Sequence, residues 1–124
     1  MLDNAEVAAR LPAKNLDRAR RWYSEKLGLE PVDERPGGLL YRCGSGEFAL
    51  FLSTGESLGD FTQMGFQVED IDAVVGGLRA SGVEPAYPPA DVEGHYPSKN
   101  ARGERAAWFR DSENNLLGFG EPVR

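Results

Sequence analysis

Few side chains in this sequence can do metal or acid/base chemistry. The 124 residues include one histidine, His95, and one cysteine, Cys43. A zinc site with three protein ligands is hard to assemble from this set, and so are nickel or iron sites that use histidine. Histidine is a common acid/base residue in catalysis, but His95 lies in a loop, which favours a solvated role over a catalytic one. Cys43 is predicted to be a small buried residue of a strand. We therefore expect neither a metal nor another cofactor.

Charge and hydropathy exclude two classes of partner. The formal net charge is −6, and the basic residues are scattered, whereas a nucleic-acid binder clusters Lys and Arg. The sequence has no apolar run of about 18 residues, and its first residues are acidic rather than basic and apolar. We expect a cytoplasmic protein that binds neither nucleic acid nor membrane. An acidic surface favours cationic ligands over anionic ones.

Two segments of the chain share one plan. Residues 15–31, NLDRARRWYSEKLGLEP, and residues 70–85, DIDAVVGGLRASGVEP, each begin with a capping residue and end in Gly-aliphatic-Glu-Pro. Asn15 and Asp70 are suitable N-caps, and a glycine ends each apolar stripe of helical spacing. Each segment therefore predicts an amphipathic helix.

Alternating apolar residues predict strands around both helices. One strand precedes each helix and three follow it, so the pattern strand-helix-three strands occurs twice. The three later strands are LEPVDE, GLLYRC and EFALFLS in the first copy, and VEPAY, RAAWFR and LLGFG in the second. We predict an α+β fold in which two tandem βαβββ modules, at about 5–55 and 60–122, form a single domain over residues 1–124.

This arrangement resembles the vicinal oxygen chelate superfamily, which includes glyoxalases, bleomycin resistance proteins and extradiol dioxygenases. The resemblance rests on DRARRWYSEKLGLEP in the first module, and on FQVEDIDAVVGGLRASGVEP and WFRDSENNLLGF in the second. It covers about Glu6 to Pro122. It implies a curved mixed sheet with a concave cleft, and it implies a homodimer.

The superfamily's metal ligands are His, Gln or Glu side chains on the concave face. By resemblance, the four ligand positions of this sequence are Ala8, Phe51, Gln63 and Gly118. Only Gln63 carries a donor. The glycine at 118, in the stretch WFRDSENNLLGFG, stands where a relative that uses metal has a carboxylate. A metal site is therefore not expected.

The register of the resemblance also implies which side chains face the cleft. Trp108 and Phe51 are predicted to stack on a ligand, although Trp108 could equally pack on its own sheet or on a dimer partner. Residues 86–105 are predicted to be a long loop that is either a lid or a mobile surface segment. The opposite face, predicted to be the core, includes Val7 and Leu52. The predicted ligand-binding residues are Arg10, Phe51, Gln63, Gln67, Trp108 and Arg110 on the sheet, with His95 and Tyr96 in the loop.

These observations favour a metal-independent small-molecule binding protein that resembles the bleomycin resistance members. Its guest would be a drug or metabolite, aromatic or cationic, held in the concave cleft. The alternative is a glyoxalase-like or dioxygenase-like enzyme, a lyase or isomerase, with a non-standard or absent metal site. A catalytic base of suitable reach and pKa is not visible in the sequence.

Overall fold

The computed structural model describes residues 1–123 and contains two helices and seven strands in that range. The first module comprises β1 (Ala9–Ala13), α1 (Leu16–Leu27), β2 (Asp33–Arg35), β3 (Gly38–Cys43) and β4 (Gly46–Leu52). The second comprises β5 (Met64–Gln67), α2 (Ile71–Ala80), β6 (Arg105–Arg110) and β7 (Leu116–Glu121). The α+β class and the two tandem modules are confirmed. No helix in residues 1–123 is long and apolar enough to cross a membrane.

Local signals begin and end both helices as the sequence predicts. The Asn15 side chain accepts a hydrogen bond from the Arg18 N–H at 2.9 Å, and Asp70 caps α2 through the Ala73 N–H at 3.1 Å. Gly28 ends α1 in the left-handed conformation, with φ of 67°. Each helix buries one stripe of its surface against its own sheet.

The strands form two sheets, one for each module. The first has the order β1-β4-β3-β2 and the second the order β5-β7-β6. In each sheet, the strand before the helix pairs in parallel with the last strand of its module. The remaining pairs are antiparallel.

The second module has one strand fewer after its helix than the sequence pattern predicts. The stretch VEPAY, residues 83–87, is not a strand, and one backbone hydrogen bond of 2.8 Å, from the Ala86 N–H to the Trp108 carbonyl, ties it to β6. Pro85 has no N–H to donate, so the stretch is poorly suited to pair along β6. The segment runs beside the sheet as irregular chain.

Both modules contribute to one apolar core. Tyr23 and Leu50 of the first module and Phe109 and Leu117 of the second have no exposed surface. Phe48 meets Phe66 across the module boundary, with ring centroids 6.0 Å apart. The two modules therefore bury part of their apolar surface against each other.

Four burial predictions are wrong. Val7 lies before β1 and Leu52 lies at the end of β4, and both are exposed, at 101% and 57%, rather than in the core. Leu116 has the strand parity of Gly118, which predicts that it faces the cleft, but it is 1% exposed, and its N–H is bonded to the Gln63 side chain. Cys43 is exposed rather than buried, because it lies at the end of β3, next to the turn to β4.

The turn between β6 and β7, residues 111–115, fastens the second module to the first. Asp111 accepts hydrogen bonds from the backbone N–H groups of Glu113 and Asn115, and also from the Tyr23 hydroxyl of α1 at 2.7 Å. Asn115 donates to the Pro12 carbonyl at 3.0 Å. We call this turn the latch.

Glu113 completes the latch at the start of α1. Its carboxylate accepts two hydrogen bonds from the Arg18 guanidinium, at 2.8 and 2.9 Å, and one from the Asn15 N–H at 3.1 Å. Burial by itself would raise the pKa of Glu113, but the bonds from Arg18, Asn15 and Ser112 outweigh it and lower that pKa to about 2. In Asp111 burial is the largest effect and raises the pKa, although Tyr23 and Asn115 oppose it.

Candidate functional site

The open face of the second sheet is almost free of side chains. Gly65, Gly118 and Trp108 form one row across β5, β7 and β6, and Gln67, Gly120 and Ala106 form the next. We call the surface formed by Gly65, Gly118, Gly120 and Ala106 the glycine platform. It is the floor of a depression of about 420 Å³ whose rim includes Thr62, Gln67, Glu104 and Trp108.

Gly118 lies in close contact with Trp108 and Thr62. A Cβ at position 118 would be 3.2 Å from the Trp108 Nε1 and 3.3 Å from the Thr62 Cγ2. The indole N–H in turn donates to the Thr62 hydroxyl at 3.0 Å. The space left by the missing side chain is thus occupied by Trp108 and Thr62, which fixes the indole at the edge of the platform.

The other two platform glycines have no such structural requirement. A Cβ at Gly65 or Gly120 would meet nothing within 4 Å, and neither residue has the left-handed backbone that favours glycine. Glycine in a strand weakens it without adding packing. These two positions are therefore best explained by the flat, open surface that they leave.

An aromatic wall stands beside the platform. The Tyr87 ring meets Trp108 at a centroid distance of 5.9 Å in an edge-on arrangement, and it lies 6.3 Å from the His95 ring. His95 Nδ1 is 3.3 Å from the Pro88 carbonyl. Tyr87 and Thr62 are not among the ligand-binding residues predicted from the sequence. Tyr87 carried a usable signal, as an aromatic residue between Ala86 and two prolines, whereas Thr62 carried none.

The predicted site residues separate into three places. Gln67 and Trp108 border the platform, and His95 joins them through Tyr87. Arg10 and Phe51 lie on the open face of the first sheet, in a separate depression of about 360 Å³. Gln63, Arg110 and Tyr96 are engaged in bonds that hold the fold.

Gln63 and Arg110 attach the chain between the modules to the second sheet. The Gln63 amide accepts from the Leu116 N–H at 3.2 Å and from the Ser57 hydroxyl, and it donates to the Asn115 side chain at 3.0 Å. The Arg110 guanidinium donates twice to the Gly59 carbonyl, at 2.9 and 3.1 Å. Both side chains are used for positioning within the protein.

Tyr96 anchors the long loop to α2 rather than pointing at the platform. Its hydroxyl donates to Asp72 at 2.7 Å, and Arg105 binds the same carboxylate with two hydrogen bonds of 2.7 and 2.9 Å. The hydrogen bond from Arg105, and then that from Tyr96, lower the pKa of Asp72 to about 2. The middle of the loop is thereby tied to the helix side of the second module.

The residues at the superfamily's ligand positions do not fit a metal ion. Ala8 and Phe51 have no donor, the Gln63 amide is already bonded, and the place of a side chain at Gly118 is taken by Trp108 and Thr62. Within residues 1–123, His, Cys, Asp and Glu form no group of three or more that could hold a metal ion. We derive no chemistry through a metal.

A carboxylate at position 118 should displace Trp108 instead of creating a metal site. We expect Gly118→Glu to lower the free energy of unfolding by about 1–3 kcal/mol, because overfilling a packed position forces neighbours to move. Gly65→Glu is the control, since it adds the same charge in the same row where a Cβ meets nothing within 4 Å. Urea unfolding followed by tryptophan fluorescence measures both. Equal stability of the two variants would contradict the role of Gly118.

The chain belongs to the glyoxalase/bleomycin resistance protein/dioxygenase superfamily, whose family model matches residues 6–119. Solved structures show the same fold. One is a member from Alicyclobacillus acidocaldarius, with a TM-score of 0.73 and 20% identity over 98% of this chain and 93% of that one. Another is a member from Nocardioides, with a TM-score of 0.72 and 19% identity over 95% and 83%.

A third similar structure is TnmS3, an antibiotic binding protein from Streptomyces sp. CB03234. It has a TM-score of 0.70 and 21% identity, over 99% of this chain and 100% of that one. Comparison of the sequence with curated proteins gives no match. At these identities the structural likeness establishes the fold and not the ligand.

Proposed function

We propose that this chain is a metal-independent binding protein that holds a flat aromatic molecule against the glycine platform. The observation that carries the proposal is the pair Gly65 and Gly120, which leave a bare backbone surface that neither packing nor backbone conformation requires. Trp108 lines the depression that contains that surface, and Tyr87 packs edge-on against Trp108. A planar guest can make close contact with such a floor while its edge meets the aromatic wall.

The guest is a drug or metabolite that the protein sequesters, and an antibiotic-resistance role follows if the guest is an antibiotic. Support comes from the fold shared with TnmS3, which binds an antibiotic. The polar rim offers the Gln67 amide for hydrogen bonds. Glu104 lines the same depression and is paired with Arg102 at 2.6 Å, so support for a cationic guest comes from the net charge of −6. We place the protein in the cytoplasm, where its single cysteine would remain reduced.

We further propose that the working form is a homodimer. The platform and the depression beside Arg10 and Phe51 share no lining residue, so each is an open half-site. A second copy can place its first-sheet face over the platform and enclose the guest, which a shallow open depression cannot do alone. Sedimentation velocity measures the assembly, and a strictly monomeric protein that still binds its guest would contradict this part.

Binding of planar dyes tests the site. Proflavine, which is cationic, and anthraquinone-2-carboxylate, which is anionic, are titrated against the protein by calorimetry and by quenching of tryptophan fluorescence. We expect Gly120→Val to weaken binding of the preferred dye at least about tenfold, because the added side chain stands on the platform. Proflavine should bind more tightly than the anionic dye if the net charge selects the guest.

Gly76→Val is the control for this experiment. Gly76 lies in α2, where a Cβ would meet nothing within 4 Å, and it is not among the residues that line the platform depression. It should leave dye binding unchanged. Equal binding by the wild type and Gly120→Val, or equal losses in both variants, would refute the platform as the site.

A further inference from the structure

A second opening lies on the opposite, helix side of the molecule. It is a groove of about 430 Å³ between the end of α1 and α2. Phe66 and Phe119, whose rings stack at 5.1 Å, contribute to its lining from β5 and β7. We call this opening the helix groove. It has no lining residue in common with the platform depression except these two phenylalanines, which belong to the core between the two.

The helix groove is apolar and carries a single charge. Its walls include Leu29, Val74 and Leu78, and among its described lining residues Lys26 is the only acidic or basic one. That is notable in a chain of net charge −6. An apolar groove with one cation complements a guest that has an apolar body and one anionic group.

The polar groups of the groove lie together. The Lys26 ammonium donates to the Ser81 carbonyl at 2.6 Å, so the cation is held beside the C-terminal end of α2. An ammonium group has three donors, and this bond uses one of them. A carboxylate placed here can accept the others, while an attached chain extends over the apolar walls.

Gly77 keeps the middle of the groove open. It lies within α2, and a Cβ at this position would meet nothing within 4 Å. Glycine is among the least favourable residues for the interior of a helix, and here no close packing requires it. Its neighbour Gly76 has equal room for a Cβ but is not among the residues that line the groove.

We propose that the helix groove binds a medium-chain carboxylate, with the carboxylate at Lys26 and the hydrocarbon chain along Val74, Leu78 and Phe66. This site is independent of the proposed function of the platform. The expected guest is an amphiphile of fatty-acid type. A neutral apolar molecule would make no use of the Lys26 ammonium, and a cationic amphiphile would be repelled by that ammonium.

The first test is a chain-length series measured by calorimetry. Hexanoate, octanoate and decanoate should bind with affinities that rise about threefold to fourfold for each methylene that enters the groove. Lys26→Gln should weaken decanoate about tenfold and leave decanol unchanged, and Lys99→Gln, in the long loop, should change neither. Affinity that does not depend on chain length, or a Lys26→Gln variant that binds decanoate like the wild type, would overturn the proposal.

The second test compares adjacent positions of one helix. Gly77→Leu fills the groove and should abolish decanoate binding, whereas Gly76→Leu should bind as the wild type does. Both changes replace a helical glycine by a better helix former, and melting followed by circular dichroism verifies the fold. Gly120→Val, which blocks the platform, should leave decanoate binding intact. The proposal for the helix groove and the proposal for the platform are therefore tested separately.

Cys43 supplies an independent readout because it is exposed and lines the groove. Decanoate should slow its reaction with a soluble disulfide reagent several-fold, and Gly77→Leu should remove that protection. If a second copy of the chain covers the groove instead, the thiol will become protected as protein concentration rises and decanoate will not bind. That outcome would refute the proposal.

Discussion

Asp111→Ala is expected to lower the free energy of unfolding by about 3 kcal/mol, which corresponds to a melting temperature lower by roughly 10 °C. The side chain is 6% exposed and accepts four hydrogen bonds, two from backbone N–H groups and two from the Tyr23 hydroxyl and the Asn115 amide. Alanine leaves the Tyr23 hydroxyl and the two backbone N–H groups without an acceptor, and the Asn115 amide keeps only the Pro12 carbonyl. It also removes one of the contacts between α1 and the latch, while the bonds from Arg18 to Glu113 remain.

Asp60→Ala is the control for that measurement, because Asp60 is an exposed aspartate of the chain between the modules. Its replacement should change the free energy of unfolding by less than about 0.5 kcal/mol. Urea unfolding at pH 7 compares the two variants. An Asp111→Ala protein as stable as Asp60→Ala would show that the latch does not hold the modules together.

Glu113→Gln is expected to cost about 2 kcal/mol at pH 7 and progressively less in acid. The pKa of Glu113 is lowered from 4.5 to about 2, so the ionised form is favoured by folding. The stability that it contributes is present above pH 4.5 and is lost as the pH falls towards 2. Because the Arg18 side chain is 52% exposed, solvent screening reduces the contribution below the roughly 3 kcal/mol of the full shift.

The measurement is the difference in unfolding free energy between the wild type and Glu113→Gln at pH 7, 5 and 3. Taking the difference removes the opposite effect of Asp111, whose raised pKa contributes stability that is lost as pH rises. The difference should shrink between pH 5 and 3. A difference that stays constant with pH would mean that Glu113 acts through its shape and not through its charge.

Most of the fold can be predicted from the sequence, because the helix caps and the strand alternation that indicate it are local features. The caps at Asn15 and Asp70 lie within three residues of the N–H groups that they accept. Alternation within β4, β6 and β7 identified most of the core face. The errors occur where strands begin or end. Val7 precedes β1 and Leu52 is the last residue of β4, so the alternation reaches positions whose side chains are exposed. The strand predicted at residues 83–87 does not form for a related reason. A strand needs a partner to pair with, and the alternation of apolar residues within one segment does not show whether such a partner is available.

The candidate site follows only in part from the sequence, because its geometry depends on distant contacts. Trp108 and Gln67 line the depression on the open face of the second sheet, the face that their strand parity predicts, and their role in binding stays a prediction. Gln63 and Arg110 have the same parity, yet their side chains bond to Ser57 and Gly59 in the chain that joins the modules. Tyr96 meets Asp72, which is 24 residues earlier. Side chains with polar ends take whichever partner the folded chain supplies, and one sequence does not reveal that choice.

The glycines of the platform affect how the ligand specificity of this protein can change during evolution. Because Gly65 and Gly120 are not fixed by packing or by backbone conformation, single substitutions there alter the shape of the surface with little effect on folding. Gly118 is different, since a change there also moves Trp108. Descendants of this chain could therefore acquire new guests through positions 65 and 120 one mutation at a time, while 118 and the latch stay under constraint.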